Sequence, residues 1–137
     1  MLEVPFVLLS ENFDARLPIY EQIVDRFCRA LVCGRLTPGQ RIYSIRELAL
    51  ELGVNTNTAA RAYQEMERAG LIYSKRGTGY FIVEDNTVVN TVRDDMVKQA
   101  VQGFVREMRA LGFGDAAILD ELQRQLEGGN GDEPARS

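Results

Sequence analysis

The sequence predicts an α+β fold in which helices and a small β-hairpin form one domain and two further helices follow it. Three observations support this prediction. Apolar residues recur at helical spacing in two segments between positions 44 and 68. Two β-prone runs then flank a glycine-rich turn at positions 76–79. A second amphipathic helical pattern begins near position 94.

The first helical segment has a marked start and end. Ser44 and Glu47 stand three residues apart before an apolar run, and each can cap the other's backbone N–H. Gly53 follows the run, where a left-handed residue commonly ends a helix. The predicted buried stripe consists of Leu48, Ala49 and Leu52. The sequence therefore predicts a helix that is followed by a tight turn.

The second helical segment begins after Asn55, whose side chain can cap it. Its apolar face is made by Ala59, Ala62, Tyr63 and Met66. Its opposite, polar face carries Asn57, Arg61, Gln64 and Arg68, with Thr56, Thr58 and Ala60 near its start. The apolar face is predicted to pack inward, so the polar face stays available for a ligand.

A hairpin follows this helix. The runs 71–75 and 80–83 are β-prone, and Arg76-Gly-Thr-Gly79 separates them. The two glycines allow positive φ at the tip and close approach of the backbone to a ligand. Lys75 and Arg76 place positive charge where a wing would contact DNA phosphates or the minor groove.

The order helix, turn, helix, hairpin is that of a winged helix-turn-helix, a fold typical of DNA-binding proteins. Each signal also has a purely structural explanation: Ser44 can be only a cap, Arg46 only a solvated helix residue, and the glycines only turn residues. Arg68 lies about two turns beyond the start of the second helix, and it is the start of this helix that usually enters the DNA major groove. We therefore interpret Arg68 as surface charge. The occurrence of these signals in one order favours DNA binding.

The span from Pro18 to Glu84 resembles the DNA-binding domain of the GntR family of bacterial transcription regulators. The segment VNTNTAARAYQEME is most similar to its short YtrA-type subfamily. The resemblance implies DNA-binding roles for Ser44 and Arg46, which belong to a Ser-x-Arg-x-Leu-Ala element. It implies the same for the start of the recognition helix, which matches Thr56, Asn57, Thr58 and Arg61, and for the wing glycine, which matches Gly77.

The recognition helix departs from the wider family at two positions. Thr56 and Ala60 stand where family members frequently have arginine. The remaining candidates for base readout are Asn57, which can pair with adenine, and Arg61, which can pair with guanine. The full set of predicted DNA-binding residues is Ser44, Arg46, Thr56, Asn57, Thr58, Arg61, Lys75, Arg76, Gly77, Thr78 and Gly79.

The domain organisation follows from these patterns. We predict an N-terminal arm or strand (1–14), a winged helix-turn-helix domain (15–85), a polar linker (86–93), a helical dimerisation hairpin (94–127) and a disordered tail (128–137). Within the winged domain, a scaffold helix is expected from Pro18 to about Val32, with Ile19, Ile23, Phe27, Ala30 and Leu31 as its stripe. A short strand is expected at 41–43.

Two apolar stripes mark the C-terminal helices. They consist of Val97, Ala100, Val101, Phe104, Val105 and Met108 in the first helix and Ile118, Leu119, Leu122 and Leu126 in the second. Two helices of this length bury too little apolar surface to stand alone. Packing on the winged domain is one solution; we favour dimerisation, which the subfamily resemblance also implies.

The charge is unevenly distributed along the chain. The net charge is −4, but residues 15–85 hold ten Lys/Arg and eight Asp/Glu, a net charge of +2. The remainder carries six and twelve, a net charge of −6. A modestly positive domain can neutralise phosphates if its cations cluster, and its affinity should then fall steeply with salt.

Other classes of protein are disfavoured. No run approaches the roughly 18 apolar residues of a membrane span, and the N-terminus lacks a signal pattern, so we expect a cytoplasmic protein without a membrane partner. Histidine is absent and Cys28 and Cys33 are the only cysteines, so no metal site, cofactor or catalytic residue is expected. Both cysteines are interpreted as reduced core or half-buried residues. The protein is not expected to be an enzyme.

The predicted partners are therefore operator DNA and a second copy of the chain. Twofold symmetry predicts a palindromic operator, and the resemblance implies a repressor. The alternative is a winged-helix module that binds protein instead of DNA. A small-molecule effector, if one exists, would have to bind at the dimer interface, because two helices leave little room for a pocket of the usual ~300 to 1,000 Å³.

Overall fold

The structure is a computed structural model that describes residues 12–129. Its elements are α1 (Ile19–Val32), β1 (Arg41–Ile42), α2 (Ile45–Leu52), α3 (Thr56–Arg68), β2 (Ile72–Lys75), β3 (Gly79–Ile82), α4 (Asn86–Ala110) and α5 (Asp115–Gly129). The three strands form one antiparallel sheet in the order β1-β3-β2. The predicted α+β fold is confirmed. The N-terminal arm predicted over residues 1–14 lies mostly outside the described residues.

The scaffold helix α1 starts directly after Pro18, which is its N-cap residue. It buries Ile23, Phe27, Ala30 and Leu31. Four of the five residues of the predicted stripe are therefore buried, and Ile19 packs half-buried against them. The helix ends where the sequence predicts, because Gly34 follows its C-cap residue with a φ of 85°.

The helix-turn-helix is held in place by local caps. The Ser44 hydroxyl accepts a hydrogen bond from the Glu47 N–H at 3.1 Å, and the Glu47 carboxylate accepts one from the Ser44 N–H at 2.9 Å. Gly53 ends α2 with a φ of 67°. The Asn55 side chain accepts a hydrogen bond from the Asn57 N–H at 2.7 Å and so caps α3. These contacts confirm the predicted capping box, turn and second cap.

Tyr63 of α3 contacts three other parts of the winged domain. Its ring contacts Phe27 of α1 edge-on at 6.1 Å and Tyr80 of β3 at 4.7 Å between ring centres. Its hydroxyl donates a hydrogen bond to the backbone carbonyl of Tyr43. Because the side chain is buried, the pKa of Tyr63 is raised above its usual value. The recognition helix α3 is thereby fixed against the scaffold helix and the sheet.

The hairpin forms as predicted, with β2 and β3 paired so that Lys75 lies opposite Gly79. The tip is closed by a hydrogen bond from the Thr78 N–H to the Lys75 carbonyl at 2.8 Å. Gly77 adopts a φ of 74° and Gly79 a φ of 127°, conformations that favour glycine. The hairpin is the wing of the winged helix-turn-helix.

The linker predicted over residues 86–93 is wrong, because these residues form the first turns of α4. Val89 is buried in the core of the winged domain, and Val88 and Val92 pack against it. The Arg93 guanidinium also donates a hydrogen bond to the carbonyl of Val32 at 3.0 Å. Tertiary packing therefore outweighs the weak helix propensity of β-branched residues here.

The chain divides into two compact units, Met1–Asp94 and Asp95–Ser137. In the second unit, α4 continues to Ala110 and α5 extends to Gly129, so the first residues of the predicted disordered tail are helical. The rest of that tail lies outside the described residues. Within residues 12–129, no helix combines the length and the apolar character needed to cross a bilayer.

The second unit exposes most of its large apolar side chains. Those of Val97, Val101, Phe104, Leu111, Phe113, Leu119, Leu122 and Leu126 are exposed. Ile118 is buried. An ion pair of 2.9 Å between Arg109 and Asp115 links the end of α4 to the start of α5. Apart from Ile118, most of the large apolar side chains of the two predicted stripes thus lie at the surface of the described chain.

The two cysteines are free and differ in environment. Cys28 is half-buried, and burial together with the nearby Asp25 carboxylate raises the pKa of its thiol to about 11. Cys33 is exposed, so the expectation that it fills the core or its edge is wrong. It is the C-cap residue of α1.

Candidate nucleic-acid interface

The recognition face lies at the start of α3. Thr56, Asn57 and Arg61 are exposed, while Thr58 and Ala60 are half-buried. This distribution follows from the helical period, because the opposite face carries the buried residues Ala59, Ala62, Tyr63 and Met66. The structure therefore brings Asn57 and Arg61, four residues apart, onto one accessible face.

Arg61 has a contact that sequence reasoning missed. Its guanidinium carbon lies 4.1 Å from the centre of the Tyr20 ring, in the first turn of α1. The Tyr20 hydroxyl in turn donates a hydrogen bond to the Glu21 carboxylate at 3.3 Å. The ring attracts the cation and restricts its side chain without neutralising its charge. No local sequence pattern indicates this contact, because the two residues come from different helices.

The start of α2 contributes Ser44 and Arg46. The Ser44 hydroxyl is engaged in the capping box, although one of its lone pairs and its proton remain for another partner. Arg46 lies in the first turn and is exposed. Both residues stand beside backbone N–H groups at a helix N-terminus, a position that favours anions.

The wing tip exposes Lys75, Arg76, Gly77 and Thr78, and leaves Gly79 half-buried. The Thr78 hydroxyl donates a hydrogen bond to the Arg76 carbonyl at 3.3 Å. The Lys75 ammonium lies 5.2 Å from the centre of the Phe81 ring. The tip therefore presents two cations on a short, glycine-containing turn.

The cations of these elements are not paired with carboxylates, whereas several arginines elsewhere in the described chain are. Within residues 12–129, Arg46, Arg61, Lys75 and Arg76 form no ion pair with a carboxylate. By contrast, carboxylates pair with Arg16, Arg29, Arg68, Arg109 and Arg124. Arg68, which the predicted site leaves out, is paired with Glu65 at 3.2 Å. Cations without a carboxylate partner keep their hydrogen-bonding capacity for phosphate oxygens and base edges.

Arg41 is a further exposed cation without a carboxylate partner among the described residues, and the sequence-based site omits it. It lies in β1, opposite Phe81 of β3. Its place beside the wing depends on strand pairing between distant segments. In the sequence, the only feature that could have indicated Arg41 as a site residue was its positive charge in a predicted short strand.

Two capped helices at a tight turn, followed by a wing, are also found in known proteins. A family model described as bacterial regulatory proteins of the gntR family matches residues 19–82. The HTH-type transcriptional regulator YhcF of Bacillus subtilis is 37% identical over 121 residues, which cover 88% of this chain and 100% of the relative. The chain belongs to the GntR family.

Further relatives support the resemblance of the chain to the short YtrA-type subfamily. This GntR-family chain is 31% identical to the HTH-type transcriptional repressor YtrA of Bacillus subtilis, over 82% of this chain and 89% of the relative. A GntR family transcriptional regulator from Listeria monocytogenes has a similar structure, with a TM-score of 0.76, 38% identity and coverage of 82% and 98% of the two chains. The predicted resemblance to YtrA-type GntR regulators is confirmed, and the protein is a DNA-binding transcriptional regulator of the winged helix-turn-helix type.

Proposed function

We propose that the protein is a homodimeric repressor that binds a palindromic operator. The observation that carries the proposal is the exposed start of α3, where Asn57 and Arg61 share one face and Arg61 lies against Tyr20. The Arg61 guanidinium forms no ion pair with a carboxylate among residues 12–129, whereas the opposite face of α3 anchors the helix in the core.

Base readout is assigned to α3 in the major groove. Asn57 can donate to and accept from adenine, and Arg61 can donate two hydrogen bonds to guanine. The Tyr20 ring limits the conformations of Arg61, which lowers the entropy that binding must remove. Thr56 and Thr58, at the start of the helix, are proposed to contact phosphates together with Ser44 and Arg46 of α2.

The wing is assigned to the minor groove or its phosphates. Lys75 and Arg76 are exposed there, and Gly77 permits close approach because it has no side chain. These contacts do not read bases in the major groove, so they should strengthen binding to all duplexes alike. Sequence preference then rests mainly on α3.

The homodimer is supported by the second unit. Its exposed apolar side chains follow the helical stripes, with Val101 54% and Leu119 67% exposed. Contiguous exposed apolar surface of this kind marks an interaction site. A second copy of the same chain offers an identical apolar surface, and twofold pairing would place two recognition helices about one helical turn of DNA, or a small multiple of it, apart.

The repressor role is supported by relatives. YtrA and NagR of Bacillus subtilis, 31% and 27% identical to this chain, are both named transcriptional repressors. A bound dimer that covers a promoter would exclude polymerase without needing a second activity.

The stoichiometry of the complex with DNA tests this proposal. Light scattering after size-exclusion chromatography should give two chains alone and two chains per duplex, with a duplex selected from a random library. One chain per duplex would contradict the homodimer. Binding of no duplex by the folded protein would favour the protein-interaction module instead.

A further inference from the structure

The wing sheet has an outer face on which the function above uses only Lys75. Strand pairing places Arg41 and Tyr73 on either side of Phe81, and Lys75 opposite Gly79. Because successive residues of a strand point to opposite faces, these five residues share one face. The other face carries the core residues Ile42, Ile72 and Ile82. We call the set Arg41, Tyr73, Lys75, Gly79 and Phe81 the outer wing face.

The Arg41 guanidinium lies over Gly79. A Cβ atom placed on Gly79 would lie 3.2 Å from Nε and 3.5 Å from Nη2 of Arg41. A side chain at this position would therefore crowd the guanidinium. Because Gly79 has no side chain, the Arg41 guanidinium can lie over it, and Gly79 is the residue that pairs with Lys75.

Lys75 approaches the same region from the other edge strand. Its ammonium lies 5.2 Å from the centre of the Phe81 ring. That ring stacks on Tyr73, with 5.7 Å between ring centres and 23° between planes. Phe81 is thus the shared neighbour of both cations: Arg41 is its cross-strand partner, and Lys75 lies over its ring.

Two like charges that converge in this way repel each other unless an anion lies near them. Among residues 12–129, neither Arg41 nor Lys75 forms an ion pair with a carboxylate. The outer wing face therefore holds two cations next to the Phe81 ring, and neither is neutralised by a carboxylate among the described residues. The complementary ligand is a compact anion that can accept hydrogen bonds from both.

We propose that Arg41 and Lys75 together bind one backbone phosphate of the DNA duplex. The proposal rests on the proposed function, since it assigns a further contact to the same interface. DNA is favoured over other anions because Lys75 adjoins Arg76 and Gly77 at the exposed wing tip, so the outer wing face continues that surface. Arg41 is then a phosphate-binding residue, and Gly79, which has no side chain, leaves room for it.

The salt dependence of DNA binding by Arg41→Ala, Lys75→Ala and the double variant tests this proposal. Binding is measured by fluorescence anisotropy on a duplex selected from a random library and on an unrelated duplex. Arg41→Ala should lower the slope of log Kobs against log salt by about 0.9 for each wing engaged, because one phosphate contact is lost. The loss of affinity caused by Arg41→Ala should be equal on the selected and the unrelated duplex. The double variant should lose less affinity than the product of the two single losses, since both cations serve one phosphate.

Arg29→Ala is the matched control. It removes the same charge from α1, and Arg29 follows Tyr20 by nine residues, about half a turn away from it around the helix. Arg29 is paired with Asp25 at 2.8 Å, so it is not expected to contact DNA. Its salt slope should match the wild type. Arg41→Gln, which keeps the aliphatic stem beside Gly79, replaces Arg41→Ala if the latter does not fold.

Three results would overturn parts of the account separately. A folded Arg41 variant with the wild-type slope and affinity would overturn the phosphate site and leave the regulator intact. Single losses that multiply in the double variant would show that the two cations bind different phosphates. Failure of the wild type itself to bind any duplex would instead contradict the proposed function.

Discussion

The guanidinium carbon of Arg61, in the recognition helix, lies 4.1 Å from the centre of the Tyr20 ring, in the scaffold helix. A cation–π contact at an exposed site contributes about 0.5 to 1 kcal/mol. We therefore expect Tyr20→Leu to weaken operator binding roughly two- to fivefold, because Arg61 loses its support. Tyr20→Phe keeps the ring and should bind like the wild type. Anisotropy titrations at fixed salt measure this difference.

A purely structural role of Tyr20 would give another result. In that case Tyr20→Leu would lower the melting temperature and leave the operator affinity of the folded protein unchanged. Thermal unfolding followed by circular dichroism therefore accompanies each titration. The double variant with Arg61→Ala should bind no more weakly than Arg61→Ala alone if Tyr20 acts through Arg61.

A second prediction distinguishes base readout by α3 from contacts with the DNA phosphate backbone. Asn57→Ala or Arg61→Ala should cost about 1 to 3 kcal/mol of binding free energy on the operator and relax the base preference at one position. Lys75→Ala should weaken binding to all sequences alike and reduce the salt slope by about 0.9 for each wing engaged. Titrations on cognate and random duplexes distinguish the two. Equal losses on both duplexes for all three variants would refute the assignment of α3.

The capping box at Ser44 gives a third prediction. Ser44→Ala removes the hydrogen bond to the Glu47 N–H and should lower the free energy of unfolding by about 0.5 to 2 kcal/mol. Ser44→Asp retains a cap and should keep the stability, but its charge should repel a nearby phosphate and weaken DNA binding. Urea unfolding and DNA titration measure the two effects. Unimpaired DNA binding by Ser44→Asp would mean that Ser44 is only a cap.

The exposed stripe of α4 gives a fourth prediction. Val101→Glu places a charge on a residue that is 54% exposed within the apolar stripe and should convert the dimer to a monomer. Gln99→Glu adds the same charge about 160° away around the helix and should leave the dimer intact. Sedimentation equilibrium measures the mass of each variant. Identical masses for Val101→Glu and wild type would rule out this stripe as the interface.

The parts of the fold that were predictable are those fixed by local chemistry. The Ser44 and Glu47 caps, the left-handed Gly53 and the Asn55 cap each depend on neighbours within a few residues, so the helix-turn-helix could be located from the sequence. The polar face of α3 followed from helical period alone. Because that face is exposed, its candidate residues could also be named in advance.

The parts that were missed depend on contacts between distant segments. Residues 86–93 appeared polar and β-branched, but Val89 packs into the winged core and makes the segment helical. Tyr20 meets Arg61 only once α1 packs on α3, and Arg41 reaches Gly79 only once β1 pairs with β3. No local pattern encodes these pairings, so a single sequence could not indicate them.

The most direct test of the central claim is the selection of bound duplexes from a random DNA library by the purified protein, at stated salt, followed by sequencing. We expect an enriched palindromic motif whose half-sites are separated by about one helical turn or a small multiple of it. Folded protein that enriches no motif, or one without twofold symmetry, would contradict a homodimeric operator-binding regulator.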